Sequence, residues 1–408
     1  MPSTSRKNTG HLQTLAVHAG KPEPPIEDAI ATPIFQSSTY LLGNPEEFDD
    51  IRYIRLNNTP NQHSVSEKLA ALENTESAVV TPSGTAAISM ALLAHLKAGD
   101  HIIAPRQVYG GTRKILDQLM KRYDVETTYV SFEEPDTWKD ALHPRTRVLY
   151  VESITNPLLD IPPLDELVRF ARGHRLVSII DNTLPSPVVF RPAELGFDVV
   201  LHSASKSLNG HTDIVAGVVA ANEERVTSVR KILNLSGICL DPHACFLLER
   251  GLKTLPLRVG AQNHNAMALA RSLQSVENVR SVRYPGLPSD NSHERASEWF
   301  QGFGGMVSFV PTGGRETADR VLSELRYAQI APSLGGVETL VCRPATTSHG
   351  GLPDELRREM GVSDEMIRAV VETAEYAHRT RVDYLTRTLI ERRDKIASLE
   401  MGADDYIL

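Results

Sequence analysis

The chain is 408 residues long, enough for a sizeable core shared between a larger and a smaller domain. Hydrophobic residues make up 41% and charged residues 23%, the balance of a soluble globular protein, and a net charge of -8 argues against a general role on nucleic acid or an anionic membrane. Cys239, Cys245 and Cys342 lack metal-ligand spacing, no run reaches the about 18 apolar residues of a membrane span, and residues 1–13 lack an apolar leader; a cytoplasmic protein without zinc or disulfides is expected.

In chain order, Pro22, Pro24, Pro25 and Pro33 predict an extended arm that includes TLAVHAG (14–20) and ATPIFQSSTY (31–40), has no regular structure and needs another surface to lie on. The segment IRYIRLNNTPNQ follows, with Tyr53 and Arg55. Residues 77–81 predict a short strand and 86–96 a helix with Ile88, Leu92 and Leu96 as its apolar residues. Between them, Pro82, Ser83, Gly84 and Thr85 would aim backbone N–H groups and the positive end of the helix dipole at an anion.

Residues 101–105 form the next strand and lead into Val108, Tyr109, Gly110, Gly111 and Thr112, then a helix over 114–121. A strand over 148–152 ends in Glu152, placed to order nearby hydrogen bonds, and is followed by the turn that contains Asn156. Amphipathic segments at 113–121 and 163–172 alternate with these strands, which predicts an α/β fold with a mostly parallel sheet covered on both faces. The candidate residues fall at carboxyl ends of strands, where such sheets bind ligands.

The apolar run 176–180 closes on Asp181, Asn182 and Thr183. In DVVLHSASKSLNGHTDIVAGVVA (198–220), Val199, Val200 and Leu201 give way to His202, Ser203, Ala204, Ser205 and Lys206. This reads as a buried strand delivering a lysine and two hydroxyls to a sheet edge. Desolvation and nearby cations lower an amine's pKa, as a Schiff-base lysine requires. Ser203 and Ser205 share strand parity and can face one phosphate, while Asp181 is the partner expected for a pyridinium nitrogen.

Beyond Ala220 a long helix is expected over 243–274, kinked or divided by Pro256, then a smaller sheet from about Val279 with a strand within 304–309. APSLGGVETL (331–340) carries Pro332 and Ser333. Ser363, Asp364 and Glu365 predict an N-cap and first turn of a polar helix through about Ser398, with Arg368 on it. The closing RRDKIASLEMGADDYIL faintly resembles a fragment of a receiver domain, too short to act as one, and reads as a solvated helical tail.

VVLHSASKSLNGHTD and SIIDNTLPSP resemble the lysine and aspartate motifs of the pyridoxal-phosphate enzymes of cysteine and methionine metabolism, the group of cystathionine γ-synthase, cystathionine γ-lyase, methionine γ-lyase and the O-acylhomoserine sulfhydrylases. The resemblance runs from about Thr14 to about Arg368. It implies fold-type I (aspartate aminotransferase-like): a mostly parallel sheet flanked by helices plus a smaller α+β C-terminal domain. The expected division is an arm at 1–60 reaching a neighbouring subunit, a large cofactor-binding domain at 61–258, and a small domain with an atypical helical tail at 259–408.

The resemblance also assigns roles. Lys206 would hold pyridoxal 5'-phosphate and move protons, Asp181 would keep its ring nitrogen protonated, and Tyr109 would stack on the ring. Ser83, Gly84, Thr85, Ser203 and Ser205 would hold the phosphate, with Tyr53 and Arg55 reaching it across a dimer interface. Asn156 and Thr183 would touch the cofactor, and Asn156, Ser333 and Arg368 the substrate; no metal is expected. Gly111 stands where methionine γ-lyases often carry cysteine, and Pro332 where many cystathionine-handling relatives carry glutamate. Both departures count against those two substrates.

The implied activity is γ-elimination or γ-replacement on a sulfur-containing or O-acylated homoserine-type amino acid, the carbon–sulfur chemistry of transsulfuration, by a lyase or transferase. A homotetramer built from site-sharing dimers is expected, without nucleic acid or membrane. Two alternatives stand: a specialised-metabolism enzyme that forms carbon–carbon or unusual carbon–sulfur bonds by γ-replacement, and a non-catalytic binding protein on the same fold.

Overall fold

Short apolar runs between turns pair into a seven-stranded sheet: β1 (Ser77–Thr81), β2 (His101–Pro105), β3 (Glu126–Val130), β4 (Thr146–Glu152), β5 (Val177–Asp181), β6 (Val199–Ser203) and β7 (Gly217–Ala221), in the order β1-β7-β6-β5-β4-β2-β3. The coordinates are a computed structural model that describes residues 10–42 and 51–371. Only β7 runs against its neighbours β1 and β6; β6, β5, β4, β2 and β3 are mutually parallel. Helices cover both faces, so the central strands are apolar on both. Leu149, Val151, Ile180 and Val200 belong to one core; Val148, Tyr150, Ile179 and Val199 belong to the other.

The long helix expected over 243–274 is two helices, Pro242–Leu252 and Leu255–Gln274. Pro256 occupies the second position of the latter, where its missing N–H leaves no helical bond unmade. A five-stranded sheet follows: β8 (Val279–Arg283), β9 (Met306–Pro311), β10 (Gln329–Ile330), β11 (Leu340–Cys342) and β12 (Ile367–Val370), ordered β10-β11-β12-β9-β8.

Four local expectations are corrected. Arg368 lies on a strand, not a helix: β12 is hydrogen-bonded between β11 and β9, and all four of its residues are buried. The Ser363 hydroxyl is buried without a partner, so it caps nothing, and the tail beyond residue 371 lies outside the described residues. The N-terminal arm contains a helix, Leu12–His18, whose Leu15 and Ala16 enter this chain's own core. Lys68, from the helix Pro60–Glu73, donates from Nζ to the carbonyls of Val17 and Ala19. The helix expected over 114–121 begins earlier, as Gly110–Lys114, and continues as a π-helical turn, Ile115–Met120. No helix of the described residues is long and apolar enough to cross a membrane, and they contain no cluster of metal-ligating side chains.

Candidate active site

The carboxyl ends of β1, β4, β5 and β6 face β12 across a cleft of about 820 Å³. Ser83, Gly84, Thr85, Tyr109, Asn156, Asp181, Thr183, Ser203, Ser205, Lys206, Ser333 and Arg368 all line it. Tyr53 and Arg55 do not line this chain's cleft. The Tyr53 N–H donates to Asn58 Oδ1 at 2.9 Å, and Arg55 Nη1 donates to the carbonyl of Asn234, in the last turn of the helix Glu223–Ser236, at 3.1 Å. The segment Asn57-Asn58-Thr59-Pro60 leads into a helix, with Thr59 and Gln62 forming a capping box for Pro60–Glu73.

At the phosphate end, the helix Gly84–His95 begins directly after Ser83. Ser83 Oγ accepts from the Ala86 N–H at 3.0 Å and its carbonyl from the Ala87 N–H at 3.0 Å. The Gly84 and Thr85 amides of the first turn are thereby left for an anion. A Cβ at Gly84 would stand 2.7 Å from Ser203 Cβ, so glycine is what lets this helix end reach β6. Ser203 N–H donates to Thr183 Oγ1 at 2.8 Å, while the Ser205 hydroxyl is engaged with the backbone of Ala216.

Asp181 ends β5, and its Oδ1 accepts from the Thr183 N–H at 3.0 Å. Burial raises its pKa, opposed by the Thr183 hydrogen bonds and by His202. Glu152 is its register partner on β4; burial and the Asp181 charge push Glu152 well above the ordinary carboxylate range. As expected from its strand-end position, Glu152 orders the turn, accepting the Tyr109 N–H at 2.8 Å. The Tyr109 ring lies over Gly111, where an added Cβ would meet Cε1 at 2.4 Å. A cysteine at 111 would displace that ring.

Lys206 Nζ donates to Ser333 Oγ at 2.9 Å. Burial, reinforced by the Arg368 charge, lowers its pKa, the direction a nucleophilic and basic amine needs. Arg368 is 2% exposed, donating from Nη1 to Asn156 Oδ1 and from Nη2 to the Ser333 carbonyl, each at 3.3 Å. Its Nε is buried without a partner, and among the described residues no carboxylate pairs with it.

Sequence reading missed Lys114, Thr346, Thr347 and Ser348, which also line the cleft. Lys114 sits one helical stretch after Tyr109 and was legible as a neighbour of that residue; the hydroxyl run carried no signal. Ser348 Oγ is 2.9 Å from His349 Nδ1. Burial, then Arg368 and Arg357, lowers the His349 pKa to about 4.

The donor set fits pyridoxal phosphate: free amides with glycine clearance at one end, a buried carboxylate at the other, and a low-pKa lysine between. Fold and site together define a pyridoxal-phosphate-dependent α/β enzyme. The chain belongs to the Cys/Met metabolism PLP-dependent enzyme family, matched over residues 13–376. It is 38% identical over 364 residues to a cystathionine beta-lyase of Lactococcus lactis subsp. cremoris (88% of this chain, 94% of that one). An L-methionine gamma-lyase of Porphyromonas gingivalis is 37% identical over 372 residues, covering 88% of this chain and 92% of that one. Among solved structures, a cystathionine gamma synthase from Xanthomonas oryzae pv. oryzae superposes with a TM-score of 0.88 at 32% identity, over 94% of this chain and 99% of that one. The expected fold-type I architecture, the cofactor and the amino-acid carbon–sulfur chemistry all hold.

Proposed function

We propose that this enzyme performs γ-elimination or γ-replacement on an O-acylated or sulfur-containing homoserine-type amino acid. The observation that carries the reading is Arg368: a buried guanidinium with an unpartnered Nε, opposite a low-pKa lysine, is built to be completed by an anion. An α-carboxylate bound there places the α-carbon within reach of Lys206. Asn156 and Ser333, which already contact Arg368, orient the carboxylate and the freed amine. Pyridoxal phosphate, when bound, supplies the electron sink that makes the α-proton removable. Lys206 takes that proton at Nζ and returns it to a neighbouring carbon, while Asp181 holds the proton on the ring nitrogen. Tyr109, which lines the cleft, would lie against the ring.

The distal end of the cleft favours an acyl or anionic group. Lys114, Thr346, Thr347 and Ser348 line it, Pro332 brings no charge, and the carboxylates lining the cleft, Glu152 and Asp181, both sit on the cofactor side. A distal ammonium, as in cystathionine, would meet no carboxylate there among the described residues. A second reading, β-elimination, is favoured by the likeness to a cystathionine beta-lyase. Keto-acid analysis after incubation with O-acylhomoserines with and without cysteine, methionine and cystathionine separates the two. 2-Oxobutyrate or a thioether supports γ-chemistry; pyruvate from cystathionine supports β-elimination. Bound cofactor without turnover on any of them would sink both and leave the non-catalytic alternative.

Within this proposal the protein is a cytoplasmic homotetramer of site-sharing dimers, Tyr53 and Arg55 reaching the neighbouring copy's phosphate. Support comes from their position outside this chain's own cleft and from three unpaired cysteines. The division into 1–60, 61–258 and 259–408 is retained, supported by the helix Leu255–Gln274 standing between the two sheets in the chain.

A further inference from the structure

The helix Leu255–Gln274 sends two buried side chains to the loops that carry Lys206 and Ser333, and neither of them lines the cleft. Arg258, 6% exposed, donates from Nη1 to the Ser207 carbonyl at 2.8 Å and from Nη2 to the carbonyls of Gly251 at 2.8 Å and Leu208 at 3.4 Å. Its Nε donates to Thr254 Oγ1 at 3.0 Å. Gln262, one turn further on the same helix face, donates from Nε2 to the Gly336 carbonyl at 2.8 Å.

The two loops are also packed on each other. Lys206 opens a turn that the Gly210 N–H closes on its carbonyl at 2.8 Å. A Cβ at Gly210, where φ is +75°, would stand 1.9 Å from Arg258 Nη1, so the guanidinium lies directly against this turn. Gly335, also at φ +75°, brings the backbone beside Ser333 onto it: a Cβ there would stand 2.3 Å from the Ser207 N. Thr212 Oγ1 donates to Glu338 Oε2 at 2.8 Å, a further tie between the same segments.

A lysine's long flexible stem gives its amine reach, and only the backbone beneath it gives that reach a fixed origin. After β6 ends at Ser203, no strand ladder supplies that origin. The buried carbonyls of Ser207 and Leu208 need donors from elsewhere, and a planar guanidinium serves several carbonyls at once in a set geometry. The Lys206 Nζ–Ser333 Oγ hydrogen bond of 2.9 Å therefore joins two side chains whose loops are both tied to one rigid helix.

We propose that Arg258 and Gln262 are positioning residues for proton transfer by Lys206: from one helix face they fix the turn beneath the lysine against the loop that carries Ser333. The proposal rests on the reading that Lys206 is the base. In it Arg258 and Gln262 touch neither cofactor nor substrate and act only through the two loops.

The test uses Arg258→Lys, which keeps the charge but not the planar fork, and Gln262→Leu, which removes the donor alone. Thermal melts would establish folding of each. In the apoproteins, amide hydrogen exchange read by mass spectrometry should speed about tenfold or more in both 204–210 and 333–337, including the segment that the replaced side chain does not touch. In the loaded proteins, α-proton exchange of an amino-acid substrate with D2O should fall about 10 to 100-fold in kcat, with KM within about threefold of the wild type's. n-Propylamine added to Lys206→Ala replaces the part of the side chain that alanine lacks. The α-proton exchange it restores should be the same with and without Arg258→Lys, because the free amine does not hang from the turn. Wild-type amide exchange in the untouched segment, or wild-type kcat in the folded variants, would overturn the proposal. A rescued rate that Arg258→Lys cuts as deeply as the native one would assign Arg258 a general structural role and overturn it too. Exchange by Lys206→Ala without added amine would instead remove the reading of Lys206 as the base. Should Arg258→Lys not fold, Gln262→Leu decides alone.

Discussion

On the cofactor wall of the cleft, most polar groups already have partners within the chain: Ser83 caps its helix, Thr183 serves Asp181 and Ser203, and Glu152 holds Tyr109. On the facing wall, Arg368 Nε and His349 Nε2 are both buried without one. The first wall is pre-shaped by hydrogen bonds and needs only a ring and a phosphate to match it. The second carries the Arg368 charge with no carboxylate partner among the described residues, which the proposed function assigns to an incoming carboxylate. In the proposed reading, reaction chemistry belongs to the seven-stranded sheet and recognition of the substrate's anionic end to the five-stranded one.

The sharpest way to break this division is to remove the shared group. Lys206→Ala should lower turnover by at least about 10⁴-fold with the amino-acid substrate still able to bind, measured by steady-state kinetics and substrate titration. Retained turnover would mean that another base serves the cleft. Arg368→Ala should lower kcat/KM by about 10² to 10³-fold, mostly through KM, because a buried charged hydrogen-bond donor is worth a few kcal/mol to its partner. A loss confined to kcat would shift Arg368 from recognition to chemistry.

The pH dependence of stability sharpens the contrast further. His349, buried on the recognition wall, has its pKa lowered from 6.5 to about 4. Between those values the unfolded chain binds a proton that folded His349 refuses. Its contribution is therefore fully present above about pH 6.5 and is lost as pH falls toward 4. His349→Gln should remove on the order of 3 kcal/mol of this dependence, read from denaturant midpoints at pH 7 and pH 4. His101, shifted in the same direction to about 4, would keep its own share. On the cofactor wall, Gly84→Ala forces a Cβ to 2.7 Å from Ser203 and should cost about 1–3 kcal/mol of cofactor affinity, with the amino-acid KM of fully loaded enzyme little changed.

The two walls also differed in how legible they were. β1 and β2 were readable to the residue, because each is a short apolar run closed by proline or a glycine turn, and the cofactor groups follow them directly in sequence. The recognition wall comes from separate segments joined only by tertiary pairing, so residues 346–348 carried no local signal, and Lys114 was legible only as a neighbour of Tyr109. Ile367–Val370 was misread because Ser363, Asp364 and Glu365 imitate a helix start. In the fold Glu365 pairs with Arg280, the Asp364 carbonyl accepts from Arg343, and the strand gains two partners that a helix would forgo. The N-terminal helix escaped notice for the opposite reason: seven residues are too few to display a period, and its stability comes from Leu15 and Ala16 packing on the core.

The most direct test of the division between the walls is exchange of the substrate α-proton with D2O, followed by NMR, for the loaded wild type, Lys206→Ala and Arg368→Ala. An amino acid would be compared with the amine that lacks its carboxylate. The account predicts exchange of the amino acid by wild type and none by Lys206→Ala. Arg368→Ala should slow the amino acid at subsaturating concentration while leaving the much slower amine unaffected. Exchange that survives in Lys206→Ala, or an Arg368→Ala variant that treats the amino acid as the wild type does, would contradict it.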